Sequence, residues 1–315
     1  MITVLCGGVG AARFLAGLVQ VVAPASITAV VNTGDDTVLH GLAISPDLDT
    51  VTYTLAGAID PERGWGLGGE TWAAMGALER YGAVKPETSS AAGTWFSLGD
   101  RDLATHLSRT HRLAEGASLS TVTAEISRAW GVGVHLVPMT DDPVRTMVDV
   151  AGEGEIGFQE YFVGRRHAVP ITGVRFAGAD AARPAPGVLQ AIETAEVIVV
   201  APSNPVVSIG PLLAVAGVRE RLVARRPDVV AVSPIIGGRA LKGPADRMLG
   251  ELGIPVSAAG VARWYRDVAG TLVIDTEDQA LAAAVEEHGL RCVVTDTIMS
   301  TPEVAAALAR VVIGR

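Results

Sequence analysis

The chain has 315 residues, 49% of them hydrophobic, which is enough for one large α/β domain or a domain with a sizeable insertion. A net charge of −9 with no basic stripe removes the electrostatic case for nucleic acid. The most apolar stretch, 197–218, is broken by Pro202, Asn204, Pro205 and Pro211, so no membrane span is expected. Aromatic residues make up only 4%, so core volume must come from Val, Ala, Leu and Ile.

The first apolar run, Ile2–Cys6, is too short and lacks the basic flank of a signal peptide, and a cytoplasmic protein is expected. Cys6 and Cys292 both fall in strand-like runs and read as reduced, buried thiols. The glycine-rich segment Cys6-Gly7-Gly8-Val9-Gly10-Ala11-Ala12-Arg13 follows the first run and opens a helical stretch to Val21. Glycines there let a backbone approach phosphate, and a helix N-terminus favours negative charge. The dinucleotide fingerprint is imperfect, because Arg13 stands where a third glycine would be; a tight strand–helix turn would use the same residues.

The second run, Ile27–Val31, ends in Asn32-Thr33-Gly34-Asp35-Asp36. A nicotinamide-dependent oxidoreductase would need one acid here for a ribose, whereas this site offers two; adjacent aspartates also cap turns. A second acidic pair follows in Ser45-Pro46-Asp47-Leu48-Asp49-Thr50, where a polar loop and helix cap are the plainer reading. Four carboxylates so close in sequence are costly unless a cation compensates, and Mg²⁺ shared with substrate phosphates fits that need.

Residues 60–131 carry Leu, Trp and Met at helical spacing, interrupted near 86–93, and read as a mostly helical insertion. Within it, Gly99-Asp100-Arg101-Asp102 suits either a capped helix start or an arginine site for an anionic or planar substrate; His106 reads as a satisfied or surface residue. The segment 154–170, with GFQEYFVGRR, suggests a short strand pair.

Further Val/Ile runs follow at Val197–Ala201, Val229–Val232, Leu272–Ile274 and Cys292–Thr295, with helical stretches at Gln279–His288 and Pro302–Val312. Alternation of this kind predicts an α/β fold: a Rossmann-like, doubly wound, mainly parallel sheet. The core is expected over 1–59 and 171–315, with 60–170 as an inserted cap. Ser203-Asn204-Pro205 and Ser233-Pro234-Ile235-Ile236-Gly237-Gly238 directly follow two of the strands, at the carboxyl ends where ligands bind such sheets.

In order along the chain, GGVGAARFLAGL, VNTGDD, HGLAISPDLDTVTYTLAG, LGDRDLATH, APSNPVVSIGP and AVSPIIGG resemble the 2-phospho-L-lactate transferase family, whose bacterial members are phosphoenolpyruvate transferases of coenzyme F-420 biosynthesis. The resemblance covers Met1 to about Thr301. It implies a homodimer. The acceptor it implies is a riboflavin-like deazaflavin. The donor it implies is guanosine diphosphate esterified to lactate or a related three-carbon acid, with GMP as the expected leaving group. By the same resemblance Asp49 and Arg101 bind the deazaflavin and Asp35 belongs to the metal site.

Physical reasoning adds Asp49 beside Asp35 on Mg²⁺, and Asp49 or Asp36 as catalytic acceptor of the hydroxyl proton. Gly8, Gly10, Ser203 and Asn204 are expected at the phosphates, with Arg13 or Lys242 on the acid's carboxylate. The main rival is a non-enzymatic, nucleotide-binding relative sharing the glycine start and an Asp pair; PDLD and LGDRD argue against it.

Overall fold

The computed structural model describes residues 1–89, 91, 93 and 95–314. A central sheet of seven strands is parallel throughout. They are β1 (Ile2–Cys6), β2 (Ile27–Val31), β3 (His135–Pro138), β4 (Val197–Val200), β5 (Val229–Val232), β6 (Thr271–Ile274) and β7 (Arg291–Val294). Their spatial order is β7-β6-β5-β4-β1-β2-β3, a Rossmann-like winding that reverses direction between β1 and β4.

Alternation along each strand divides the core. Leu5, Val30, Val200 and Ala231 face one apolar cluster; Val4, Cys6, Val31, Val199 and Val232 face the other. With both faces covered, the strands read as unbroken hydrophobic runs rather than alternating ones. On the second face, α1 (Gly8–Leu18) packs against α2 (Pro46–Leu55) and against the C-terminal helix Pro302–Val312. Gly17 permits that last crossing, since a Cβ there would lie 2.4 Å from the Ala305 carbonyl carbon.

β3 lies within the segment expected to be a cap, yet pairs with β2 from Thr28↔His135 to Val31↔Pro138. Its four residues, HLVP, are too short and too mixed to show a strand period. The helical insertion is therefore shorter than 60–170. It contains α3 (Ala73–Gly82) and α4 (Asp102–Ala114), while α5 (Leu119–Ala129) packs back on β3. Ile44, Met75 and Leu98 form a small separate core beneath it.

The expected strand pair around 154–170 is realised differently. Gly154–Gly157 and Ile171–Ala177 flank Arg145–Val150 in a three-stranded antiparallel sheet, and Glu160–Gly164 between them is a helical turn. Cys6 and Cys292 are free thiols, the first buried and the second half-buried. Among the described residues no helix is long and apolar enough to cross a membrane.

Candidate active site

A cleft of 780 Å³ opens over the carboxyl ends of the strands, at the switch between β1 and β4. Gly8, Gly10, Arg13, Asp35, Asp47, Asp49, Ser203 and Asn204 all line it. The glycine loop is shaped by contacts. A Cβ on Gly7 would sit 2.5 Å from Asp47 Oδ2, and one on Gly10 would sit 2.2 Å from the Pro202 carbonyl oxygen. Only Gly8 takes a left-handed backbone, at φ 74°. Ser203 Oγ accepts from the Gly7 N–H at 3.3 Å, fastening the loop to the end of β4. Asn204 accepts from the N–H groups of Val206 (2.9 Å) and Val207 (3.4 Å), so its oxygen serves as a helix cap.

The acidic residues form two groups. Asp47 stands in the first turn of α2, where the helix dipole favours a carboxylate. It accepts from Asn32 Nδ2 at 2.9 Å and from the Gly8 N–H. Burial pushes its carboxyl up to about 6. Asp35 is pushed well above the carboxylate range by burial first, then by the charges of Asp47 and Asp36. Its Oδ1 is buried without a hydrogen-bond partner. Two buried carboxylates lining one cleft are a donor set that suits a hard divalent cation.

Asp49, two residues further along α2, is differently placed. Both of its oxygens take hydrogen bonds from Arg109, from Nη1 to Oδ2 at 3.1 Å and from Nη2 to Oδ1. Arg109 lies in α4 and is only 2% exposed. His106 and Asp102 of the same helix complete the group. His106 Nδ1 is 3.4 Å from Arg109 Nη1, and its Nε2 is 3.3 Å from Asp102 Oδ2. Tyr53 donates to Asp102 Oδ1 at 2.5 Å. Burial works to raise the Asp102 carboxyl, but His106, Tyr53 and Arg109 more than offset it and hold it low. His106 is thus buried at the cleft wall with Arg109 at its Nδ1; of the satisfied or surface positions expected from the sequence, the surface one is excluded.

Two expected site residues lie elsewhere. Asp36 is half-buried, takes the Ser45 hydroxyl at 2.7 Å, and faces a second cavity bordered by Thr37–His40 and Arg145–Met147, not the main cleft. Arg101 is exposed; it donates to the Gly68 carbonyl at 2.5 Å and does not line the cleft. The LGDRD motif is largely architectural. Asp100 accepts from the N–H groups of Ala73 and Ala74, both at 2.9 Å, at the start of α3. Glu70 caps α4 through the Arg101 and Asp102 N–H groups, and a Cβ on Gly99 would strike Glu70 at 2.2 Å.

Sequence reasoning missed the aromatic part of the wall. Trp65, Phe96, Phe158 and Phe162 line the cleft. Phe158 and Phe162 are stacked with an interplanar angle of 3°. Residues Thr297–Ser300 line it too, from a segment after β7 that carries no motif. The aromatic run in GFQEYFVGRR was the available signal.

The family profile of 2-phospho-L-lactate transferase CofD matches residues 2–312. The chain is 47% identical over 314 residues to a phosphoenolpyruvate transferase of Kitasatospora aureofaciens, covering 98% of this chain and 95% of that one. It is 42% identical to a phosphoenolpyruvate transferase of Mycolicibacterium smegmatis, covering 98% and 96%. Among solved structures, a UPF0052-family protein of Bacillus halodurans is similar in fold, with a TM-score of 0.60 at 16% identity over 99% of this chain and 98% of that one.

Proposed function

Because the chain belongs to the 2-phospho-L-lactate transferase family, we propose that it moves a phosphoenolpyruvate group from a guanosine diphosphate-linked donor to the ribityl hydroxyl of a deazaflavin, in coenzyme F-420 biosynthesis. The names of relatives at 42–47% identity favour enolpyruvate over lactate. The observation that carries the chemistry is the joint lining of one cleft by the glycine loop and by the buried carboxylates of Asp35 and Asp47.

In this reading the acceptor hydroxyl attacks the terminal phosphorus, the bond to the bridging oxygen breaks, and GMP departs. The Gly7 and Gly8 N–H groups already serve Ser203 and Asp47, so the diphosphate would take the N–H groups of Val9 and Gly10 in the first turn of α1. Asp35 and Asp47 would hold Mg²⁺; Asp49 is reassigned to the acceptor side, because Arg109 already engages both of its oxygens. When bound, the ion neutralises the phosphate charge. Phosphoryl transfer depends chiefly on positioning and charge neutralisation, and residues for both line the one cleft. A non-enzymatic nucleotide binder is not favoured, since the UPF0052 likeness is of fold alone.

The test is mass spectrometry of the product from deazaflavin and guanosine-linked enolpyruvate, with and without excess EDTA. Full activity in EDTA would remove the metal, and no product would overturn the assignment. By calorimetry GDP should bind at least about tenfold more tightly than ADP, about 1.4 kcal/mol; equal affinities would overturn the guanosine donor.

A further inference from the structure

Arg109 is among the largest fully buried side chains, and it lies behind the cleft wall rather than in it. A buried guanidinium is retained only where its hydrogen-bonding capacity is met, and its fork matches a carboxylate bidentately. Here the fork locks Asp49, and the same Nη1 approaches His106 Nδ1 at 3.4 Å. In the tautomer in which Arg109 donates to Nδ1, the His106 proton sits on Nε2, 3.3 Å from Asp102 Oδ2 but outside hydrogen-bond alignment. Tyr53 fixes the other Asp102 oxygen. Asp49, Asp102, His106 and Tyr53 all line the cleft, so one buried cation orders two wall carboxylates at once.

The ligand atoms of Asp49, Asp102 and His106 are close enough to hold a metal ion. The guanidinium against Asp49 argues otherwise, because it already supplies the positive charge and would repel a second cation. Two immobile carboxylates with lone pairs facing a cleft suit neutral donors that come in series, which is the pattern of a polyol chain.

Resting on the transferase reading above, we propose that Arg109 is a positioning residue for the acceptor: through Asp49 directly and Asp102 by way of His106, it sets a rigid pair of hydrogen-bond acceptors for the hydroxyls of the ribityl chain. Asp102 is then a binding residue in its own right.

The experiment compares wild type, Arg109→Lys and Asp102→Asn with two ligands, the deazaflavin and the same ring bearing a methyl group in place of the ribityl chain. Arg109→Lys keeps the charge and loses the fork. Fluorescence titration should show the deazaflavin Kd rising at least about tenfold in both variants, while the methyl analogue binds within about twofold of wild type. The KM for the guanosine donor should also stay within about twofold. Equal loss for both ring ligands would make Arg109 merely structural and overturn the inference, as would an unchanged deazaflavin Kd accompanied by weaker Mg²⁺ binding. If the wild type itself binds no deazaflavin, the transferase reading fails instead. Should Arg109→Lys not fold, Asp102→Asn and Tyr53→Phe carry the same comparison.

Discussion

Asp35 has a buried oxygen with no partner and two anionic neighbours, so its charge is an internal strain on the metal-free protein. Asp35→Asn removes that repulsion and with it a ligand. Turnover should fall by about a hundredfold or more, while Tm measured in EDTA rises above wild type. A fall in both would mean that Asp35 is held by contacts of the fold instead. Gly10 illustrates the opposite case, where a residue chosen for ligand approach has a packing duty. Gly10→Ala would drive a Cβ into the Pro202 carbonyl at 2.2 Å and should cost about 1–3 kcal/mol in denaturant unfolding. No loss of stability would show that α1 can shift away from the 202 loop freely.

At the scale of elements, the segment lining the cleft at Thr297–Ser300 is held by one side chain. Asp275, after β6, accepts from the Thr297 N–H and hydroxyl, each at 2.8 Å, and from the Glu277 N–H at 3.0 Å. Burial works against the Asp275 carboxylate, but these donors prevail and hold it below the usual range. A depressed acid stabilises the fold above its unfolded value near pH 4 and loses that contribution as pH falls through the lower folded value. Asp275→Asn should therefore cost about 1–2 kcal/mol at pH 7, with the gap to wild type narrowing below about pH 4. A gap independent of pH would mean that the charge is immaterial.

Elements were legible in the sequence to the degree that burial on both faces made them uniform. The six Val/Ile runs named from sequence all became central strands, because a parallel sheet covered on both sides demands such runs. β3 escaped because HLVP sits at a sheet edge with an exposed His135. The acidic pairs were visible, but not their division. Arg109 lies sixty positions from Asp49 in sequence, and only the packing of α4 against the Leu42–Ile44 strand brings them together. Arg101 and Asp36 were legible as charged residues of a motif but not in their placement, since Arg101 donates to the Gly68 carbonyl and Asp36 accepts from Ser45 outside the cleft lining.

For the whole molecule, the cleft joins a sheet with a deep core to a cap with a small one. The apolar cluster beneath the cap has only three buried members among the described residues, Ile44, Met75 and Leu98. Opening free energy follows such differences in buried contact. On deazaflavin binding, amide hydrogen exchange should slow most in 58–67 and 95–114, with β1, β4 and β5 unchanged. Uniform protection would indicate that cap and sheet open as one unit.

The aliphatic core has an optical consequence. Of the five tryptophans, Trp65, Trp72, Trp95 and Trp130 all fall between residues 65 and 130, and the sheet strands carry none. Trp65 is 46% exposed and lines the cleft, with the Arg63 guanidinium 5.1 Å above its ring and equally near Trp72. Four of the five emitters therefore lie in that one stretch of chain, while the fifth, Trp264, packs against the sheet core. A chromophore settling against Trp65 would quench it directly, so the unlabelled chain carries its own reporter for arrival of a ring.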